Sequence, residues 1–207
     1  MYTPPSFREE RPDVLRAVMA ANPFATLVST GAAGPEATHL PLLLNEDGTC
    51  LRGHMARAND QWRHLADQPS GQPADHPALA IFHGPHAYIS PTYYEADFAV
   101  PTWNYVAVHA AGPVRLLEEP QATRALLNDL VASSDRHGWT MPWQDSRADG
   151  LLAAIVAFKL EIQTITGKAK LGQNRSAADQ LGVARALQAS DHAGDQALAT
   201  YMEDYAQ

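Results

Sequence analysis

Two hydrophobic rhythms alternate along the chain and divide it into elements. Over residues 7–21 apolar side chains recur at helical spacing. Val14, Leu15, Val18 and Met19 share one face, and Pro12 is tolerable in a first turn. Asn22-Pro23 ends this helix. Residues 24–30 read as a strand, and Gly31-Ala32-Ala33-Gly34-Pro35 as a turn. A second strand over 36–44 alternates through Leu40, Leu42 and Leu44, and the Asp47-Gly48 turn leads into a third strand over 49–55. Three successive strands with short turns predict an antiparallel meander.

Beyond it the pattern predicts a helix over 59–66 and a Pro-rich loop over 68–77. A buried-type strand over 78–82 continues at 87–90 after Gly84-Pro85. An aromatic loop over 91–101 carries Tyr93, Tyr94 and Phe98. A long strand over 103–117 turns Tyr105, Ala107 and His109 one way and Val106, Val108 and Ala110 the other. A helix over 119–133 is followed by a loop with Trp139 and Trp143 and a short helix over 148–153. The last strand, 154–165, sets Val156, Phe158, Leu160 and Ile162 against Lys159 and Glu161. A final helix covers 177–188. Residues 189–207 are Ala-rich and acidic with no Lys or Arg, which leaves open an extra helix or a frayed tail. The fold class is mainly β with flanking helices (α+β), with about six antiparallel strands in a small closed barrel that removes sheet edges. One domain is expected over 1–188, with 189–207 as a C-terminal tail.

Composition narrows the function classes. The 207 residues are 45% apolar, enough for a substantial core, and the net charge of −8 opposes broad attraction to DNA or anionic membranes. Cys50 is the only cysteine, so no disulfide forms within the chain and a reducing cytoplasm is the simplest compartment. Met1-Tyr2-Thr3-Pro4-Pro5 shows no signal-peptide pattern, and no run of about 18 apolar residues predicts a membrane span.

Two stretches suit anions. In Gly53-His54-Met55-Ala56-Arg57-Ala58-Asn59 a strand runs into a helix start that Asn59 can cap, beside the fork-shaped guanidinium of Arg57. Taken alone, these residues favour an ordinary strand–helix junction with a solvated Arg over a phosphate cradle. Between Glu161 and Asp179 there is no acid, whereas Lys168, Lys170 and Arg175 lie there and Ser176 can cap the next helix. A bound anion and an exposed basic loop explain this stretch equally well. Trp103 and Tyr105 flank the amide of Asn104, a set that suits a planar heterocycle with imide edges, although core packing is the commoner fate of such aromatics. No metal-ligand spacing is present, and no histidine is marked as a haem ligand. Gly-x-Ser-x-Gly, P-loop and Gly-x-Gly-x-x-Gly signatures are absent.

Five ordered blocks carry a resemblance: Ala37-Thr38-His39-Leu40-Pro41-Leu42; Gly53 to Asn59 with Trp62; Gly84-Pro85-His86-Ala87-Tyr88-Ile89-Ser90-Pro91; Val100-Pro101-Thr102-Trp103-Asn104-Tyr105; and Lys170-Leu171-Gly172-Gln173-Asn174-Arg175. Together they resemble the PaiB-type FMN-binding negative transcriptional regulators, from Met1 to about Leu187. The resemblance implies an FMN-binding split antiparallel β-barrel of the pyridoxamine-phosphate oxidase type, and a homodimer with flavin at the interface. It maps the FMN phosphate and ribityl onto Thr38, His39, Leu40, Pro41, His54, Met55, Ala56, Arg57 and Asn59. Trp103 and Asn104 are candidates for the ring, and Lys170, Gln173, Asn174 and Arg175 are candidates from the second protomer. Gly172 stands where sequences of this type often carry Ser, which removes a hydroxyl contact but permits close backbone approach. The functions implied are a flavin- or redox-linked regulator, a flavin-dependent oxidoreductase with His86, Tyr88 and Trp103 on the substrate side, a haem-binding split barrel, and a direct DNA repressor.

Overall fold

Residues 1–31, 33–66 and 77–205 are described by the computed structural model. A 3-10 turn at Pro5–Phe7 leads into strand β1 (Arg8–Glu9), and helix α1 (Pro12–Ala21) follows with Pro12 in its first turn. The meander comprises β2 (Phe24–Gly31), β3 (Gly34–Pro41), β4 (Leu43–Leu44) and β5 (Cys50–Ala56), followed by α2 (Gln61–Ala66). The predicted loop at 68–77 falls almost wholly outside the described residues, as does Ala32 in the first turn. Strand β6 (Ala78–Ile89) runs straight through Gly84-Pro85. Then come β7 (Thr102–Gly112), β8 (Val114–Leu116), α3 (Pro120–Ser134), α4 (Arg147–Ala153), β9 (Ile155–Glu161), β10 (Thr164–Lys170), α5 (Ala177–Gln188) and α6 (Ala193–Tyr205).

Three predicted strands are each divided in two, and each break has a local cause. The second strand breaks at Leu42, which is 1% exposed and whose N–H donates to the Pro23 carbonyl at 2.8 Å. The strand predicted over 103–117 breaks at Pro113, which has no N–H for a ladder. The strand predicted over 154–165 ends at Glu161. Ile162 and Gln163 donate to the carbonyls of Thr49 and Ala111, and the chain then enters β10, a strand the apolar alternation did not reveal.

The strands form two sheets rather than one closed barrel: a six-stranded sheet in the order β1-β10-β7-β6-β2-β3 and a four-stranded sheet in the order β4-β5-β9-β8. The chain clusters into two compact units. One comprises Met1–Ala21, His83–Val108 and Thr166–Gln207; the other comprises Asn22–Phe82 and His109–Ile165. Strands β6, β7 and β10 run through both.

In the second unit, Leu27, Leu51, Phe82, Phe158 and Leu160 are wholly buried. On the other face of β9, Ala157 packs with Leu126 and Leu130 of α3. Gly112 is required there, because a Cβ would lie 1.7 Å from the Glu161 carbonyl oxygen. In the first unit α5 and α6 pack together, burying Val183, Leu187, Leu198 and Ala199. Gly167 of β10 is equally constrained, since a Cβ would lie 2.2 Å from Leu15 Cδ2 and 2.7 Å from the Glu9 carbonyl oxygen.

Candidate functional site

Strands β3 and β5 and the segment leading to α2 carry one group of candidates, all in the second unit. Side chains alternate along β5. Gly53 faces Leu40 and Leu42, to whose methyls its Cβ would come within 3.2 and 2.7 Å. Met55, on the same side, is buried. His54 shares the opposite side with Arg52, whose guanidinium pairs with Asp129 of α3 at 2.9 Å. Leu40 and His54 therefore do not converge. His54 lies opposite Ala157 of β9, and its Nδ1 is buried without a hydrogen-bond partner among the described residues. Burial lowers the pKa of its imidazole, which is neutral at pH 7.

Asn59 and Thr38 are brought together: the Asn59 amide donates to Thr38 Oγ1 at 2.8 Å, while Asn59 Oδ1 accepts the Gln61 N–H at 3.0 Å. Asn59 thus serves the helix start from two residues before α2, which begins at Gln61 rather than at Asn59 and is only six residues long. Gln61, unremarked in the sequence, is 2% exposed and anchors the junction. Its Nε2 lies within 3.2 Å of the Leu27 carbonyl, Ser29 Oγ and the Glu36 carbonyl. His39 is exposed, with Nδ1 at 3.0 Å from Thr26 Oγ1. Pro41 is half-buried and Ala56 exposed.

Arg57 is not simply solvated. Its Nε and Nη2 donate at 2.8 Å to the carbonyls of Ala153 and Ile155, closing the α4–β9 junction. Nη1 remains without a protein acceptor among the described residues. The Trp62 indole donates to the Arg57 carbonyl at 3.0 Å. Arg57 also lines a cleft of about 450 Å³ with Leu117, Glu118 and Thr123. No sequence pattern marked this cleft, because its walls come from three stretches far apart in the chain: Arg57, residues 116–123 and residues 152–157.

The remaining candidates lie in the first unit. Trp103 is 54% exposed, and its ring centroid is 6.1 Å from that of Tyr88 and 6.3 Å from that of His86. Asn104 is 3% exposed. Lys170 reaches the two residues before Asn104, donating to the Trp103 carbonyl at 2.8 Å and to Thr102 Oγ1. Burial, then Lys168 and Arg175, lower its pKa. Gln173 ties the turn after β10, accepting from Leu171 N and donating to the Ala169 carbonyl. Asn174 is exposed, and the Arg175 guanidinium lies 4.7 Å from the Tyr94 ring centroid. Gly172 takes φ +87°, a left-handed conformation that explains why glycine replaces serine.

Lys168 and Lys170 are thus strand residues rather than members of an exposed loop. Lys168 is 8% exposed, donates to the Tyr2 carbonyl, and lies 5.0 Å from the Tyr105 ring centroid. It leaves the anion candidates.

Antiparallel sheets flanked by helices place the chain in the split β-barrel class. The flavocytochrome Anf3 from Azotobacter vinelandii shares this fold, with a TM-score of 0.62 at 15% identity over 80% of this chain and 70% of that one. An FAD- and haem-binding protein from Mycobacterium smegmatis shares it at a TM-score of 0.56 and 18% identity, over 84% and 78%.

In sequence, residues 1–164 match the family described as "Putative FMN-binding domain". The Bacillus subtilis protease synthase and sporulation protein PAI 2 is 34% identical over 99% of this chain and 97% of its own length. An Aspergillus fumigatus relative is 28% identical over 88% and 89%. The chain belongs to this FMN-binding domain family and is PaiB-like, with FMN as the family's cofactor.

Proposed function

We propose that this protein is a homodimeric, flavin-linked regulator. The observation that carries the reading is the family match over residues 1–164, which spans every second-unit candidate as well as Trp103 and Asn104. The donor chemistry fits FMN. The Thr38 hydroxyl accepts from Asn59 and keeps its own proton to donate. His54 carries a buried ring nitrogen without a partner, and Arg57 retains Nη1. His39, Leu40, Pro41, Met55 and Ala56 supply backbone, with the His54 ring on the opposite side of β5 from Leu40. These residues hold the phosphate and ribityl chain in this reading. Trp103 and Asn104 serve the ring, and Lys170, Gln173, Asn174 and Arg175 of a second copy complete the cradle. Bound FMN supplies reversible electron acceptance. The chain's own part is to bind and orient it and to hold His54 neutral. A net charge of −8 favours regulation through a small-molecule or protein contact over broad DNA attraction.

The test is FMN titration followed in the visible flavin bands. The wild-type protein takes up FMN, and Arg57→Ala weakens binding about tenfold or more, the effect of a lost charge-assisted hydrogen bond. Protein that neither carries nor takes up flavin defeats the reading; unchanged affinity in the variant removes Arg57 from the cradle.

The exposed His86–Tyr88–Trp103 group favours a second reading, a flavin-dependent oxidoreductase with these rings on the substrate side. Bleaching of the bound flavin by a nicotinamide donor supports it, and a flavin that no donor reduces counts against it.

A further inference from the structure

We propose that residues 1–4 form a strap over a site for a small phosphate dianion, and that Tyr2 holds the strap shut by occupying the ammonium of Lys168. All the parts belong to the first unit. Lys168 of β10 is 8% exposed and donates to the Tyr2 carbonyl at 3.1 Å. Its Nζ lies 5.7 Å from the Tyr2 ring centroid and 5.0 Å from that of Tyr105.

The closed arrangement leaves Lys168 without a counter-charge. Among the described residues no carboxylate pairs with Lys168, Lys170 or Arg175. Arg8 stands directly opposite Lys168 on β1, and its own partner is Glu10 at 3.6 Å. Like charges opposite each other in a ladder are destabilising. Lys170 follows two residues along β10, on the same side of the strand. Burial, then Lys168 and Arg175, lower its pKa, so the cations lie within reach of one another's charge. A buried charge is normally set beside an opposite one. One carbonyl and two aromatic faces give Lys168 only partial charges.

The strap itself is lightly held. Among the described residues, the Lys168 bond is the single hydrogen bond from residues 1–4 to a distant part of the chain. Tyr2 is 84% exposed and Met1 42%. A segment with so little burial opens at small cost. Lys168 gives one of its three N–H donors to Tyr2, and Lys170 gives two to Thr102 and Trp103. The remaining donors suit a dianion, whose charge-assisted bonds are stronger than those of a neutral carbonyl. Lys168 is therefore masked while the strap is down and takes the anion when it lifts, which makes the first unit responsive to phosphate. Lys170 is shared with the flavin reading, so the test rests on Tyr2, Pro4 and Lys168, which that reading does not use.

The chain has three lysines, Lys159, Lys168 and Lys170, so amine acetylation read by mass spectrometry reports each one. In the wild type Lys168 is expected to react slowest, a measurement that needs no variant. The double substitution Tyr2→Gly and Pro4→Gly removes the ring and the fixed backbone of the strap. Lys168 then reacts at least about tenfold faster, and inorganic phosphate protects it. Inorganic phosphate is also titrated calorimetrically at constant ionic strength. The loosened variant binds it at least about tenfold more tightly than the wild type, and adding Lys168→Met removes the gain. Circular dichroism checks that each variant keeps the fold. The proposal is overturned if Lys168 of the wild type reacts as fast as Lys159, if loosening the strap leaves phosphate affinity unchanged, or if the gain survives Lys168→Met. No readout depends on flavin, so protein that takes up no flavin defeats the flavin reading and leaves these results interpretable.

Discussion

Glu9 shows how one carboxylate can secure two ends of a chain. It is 5% exposed and accepts three hydrogen bonds from the Arg11 guanidinium, whose Cζ lies 4.6 Å from the Tyr205 ring centroid. Burial pushes this carboxyl up, but bonds from Arg11 and Tyr205 outweigh it and bring it down to about 2. A folded-state value below the unfolded one gives stability that is full above the ordinary carboxylate range. That stability is lost as pH falls through about 2. Between pH 5 and 3 the wild type should therefore lose denaturant resistance more steeply than Glu9→Gln; parallel slopes would remove Glu9 from the acid response. None of this was legible in Arg8-Glu9-Glu10-Arg11, which the helical pattern over 7–21 takes in, whereas the helix begins only at Pro12. His54 was legible as a polar residue in an anion-suited motif, but its buried, partnerless Nδ1 depends on β9 and α3.

At the scale of elements, local signals worked where the element is closed by its own sequence. Helix α5 begins and ends where the pattern placed it, because Ser176 accepts the Asp179 N–H at 3.1 Å. Ser176→Ala should cost about 1 kcal/mol, the usual effect of losing a cap, measured by chemical denaturation. Asp179 then accepts the N–H groups of Glu95 and Ala96, so the same turn holds a distant loop. Strand β10 was missed for the opposite reason. Its burial rests on Gly167, Lys168 and Ala169, small or charged residues without strand-like alternation. What makes it a strand is close packing against β1 and α1, which a glycine permits and no periodicity reports.

For the whole molecule, the first unit concentrates exposed apolar side chains between residues 88 and 103. Tyr88, Phe98, Val100 and Trp103 are each 48% exposed or more. In a chain of net charge −8 such a concentration fits a face that a second copy covers. The mass in solution is expected near twice 22.4 kDa, and Trp103→Glu should shift it toward the monomer; a wild-type monomer would refute the dimer.

No helix among the described residues is long and apolar enough to cross a membrane. The sequence by itself determined the kinds of most elements, the course of the meander and of helices α3 and α5, and the family, because periodicity, caps and ordered motifs are properties of adjacent residues. Only the tertiary structure decided which candidates meet. It divided the long strands, set Leu40 and His54 on opposite sides of β5, tied Arg57 to the α4–β9 carbonyls, and buried Lys168 against Tyr2 and Tyr105. Each outcome depends on a partner far away in the chain, and pairing at that distance leaves no local pattern to read.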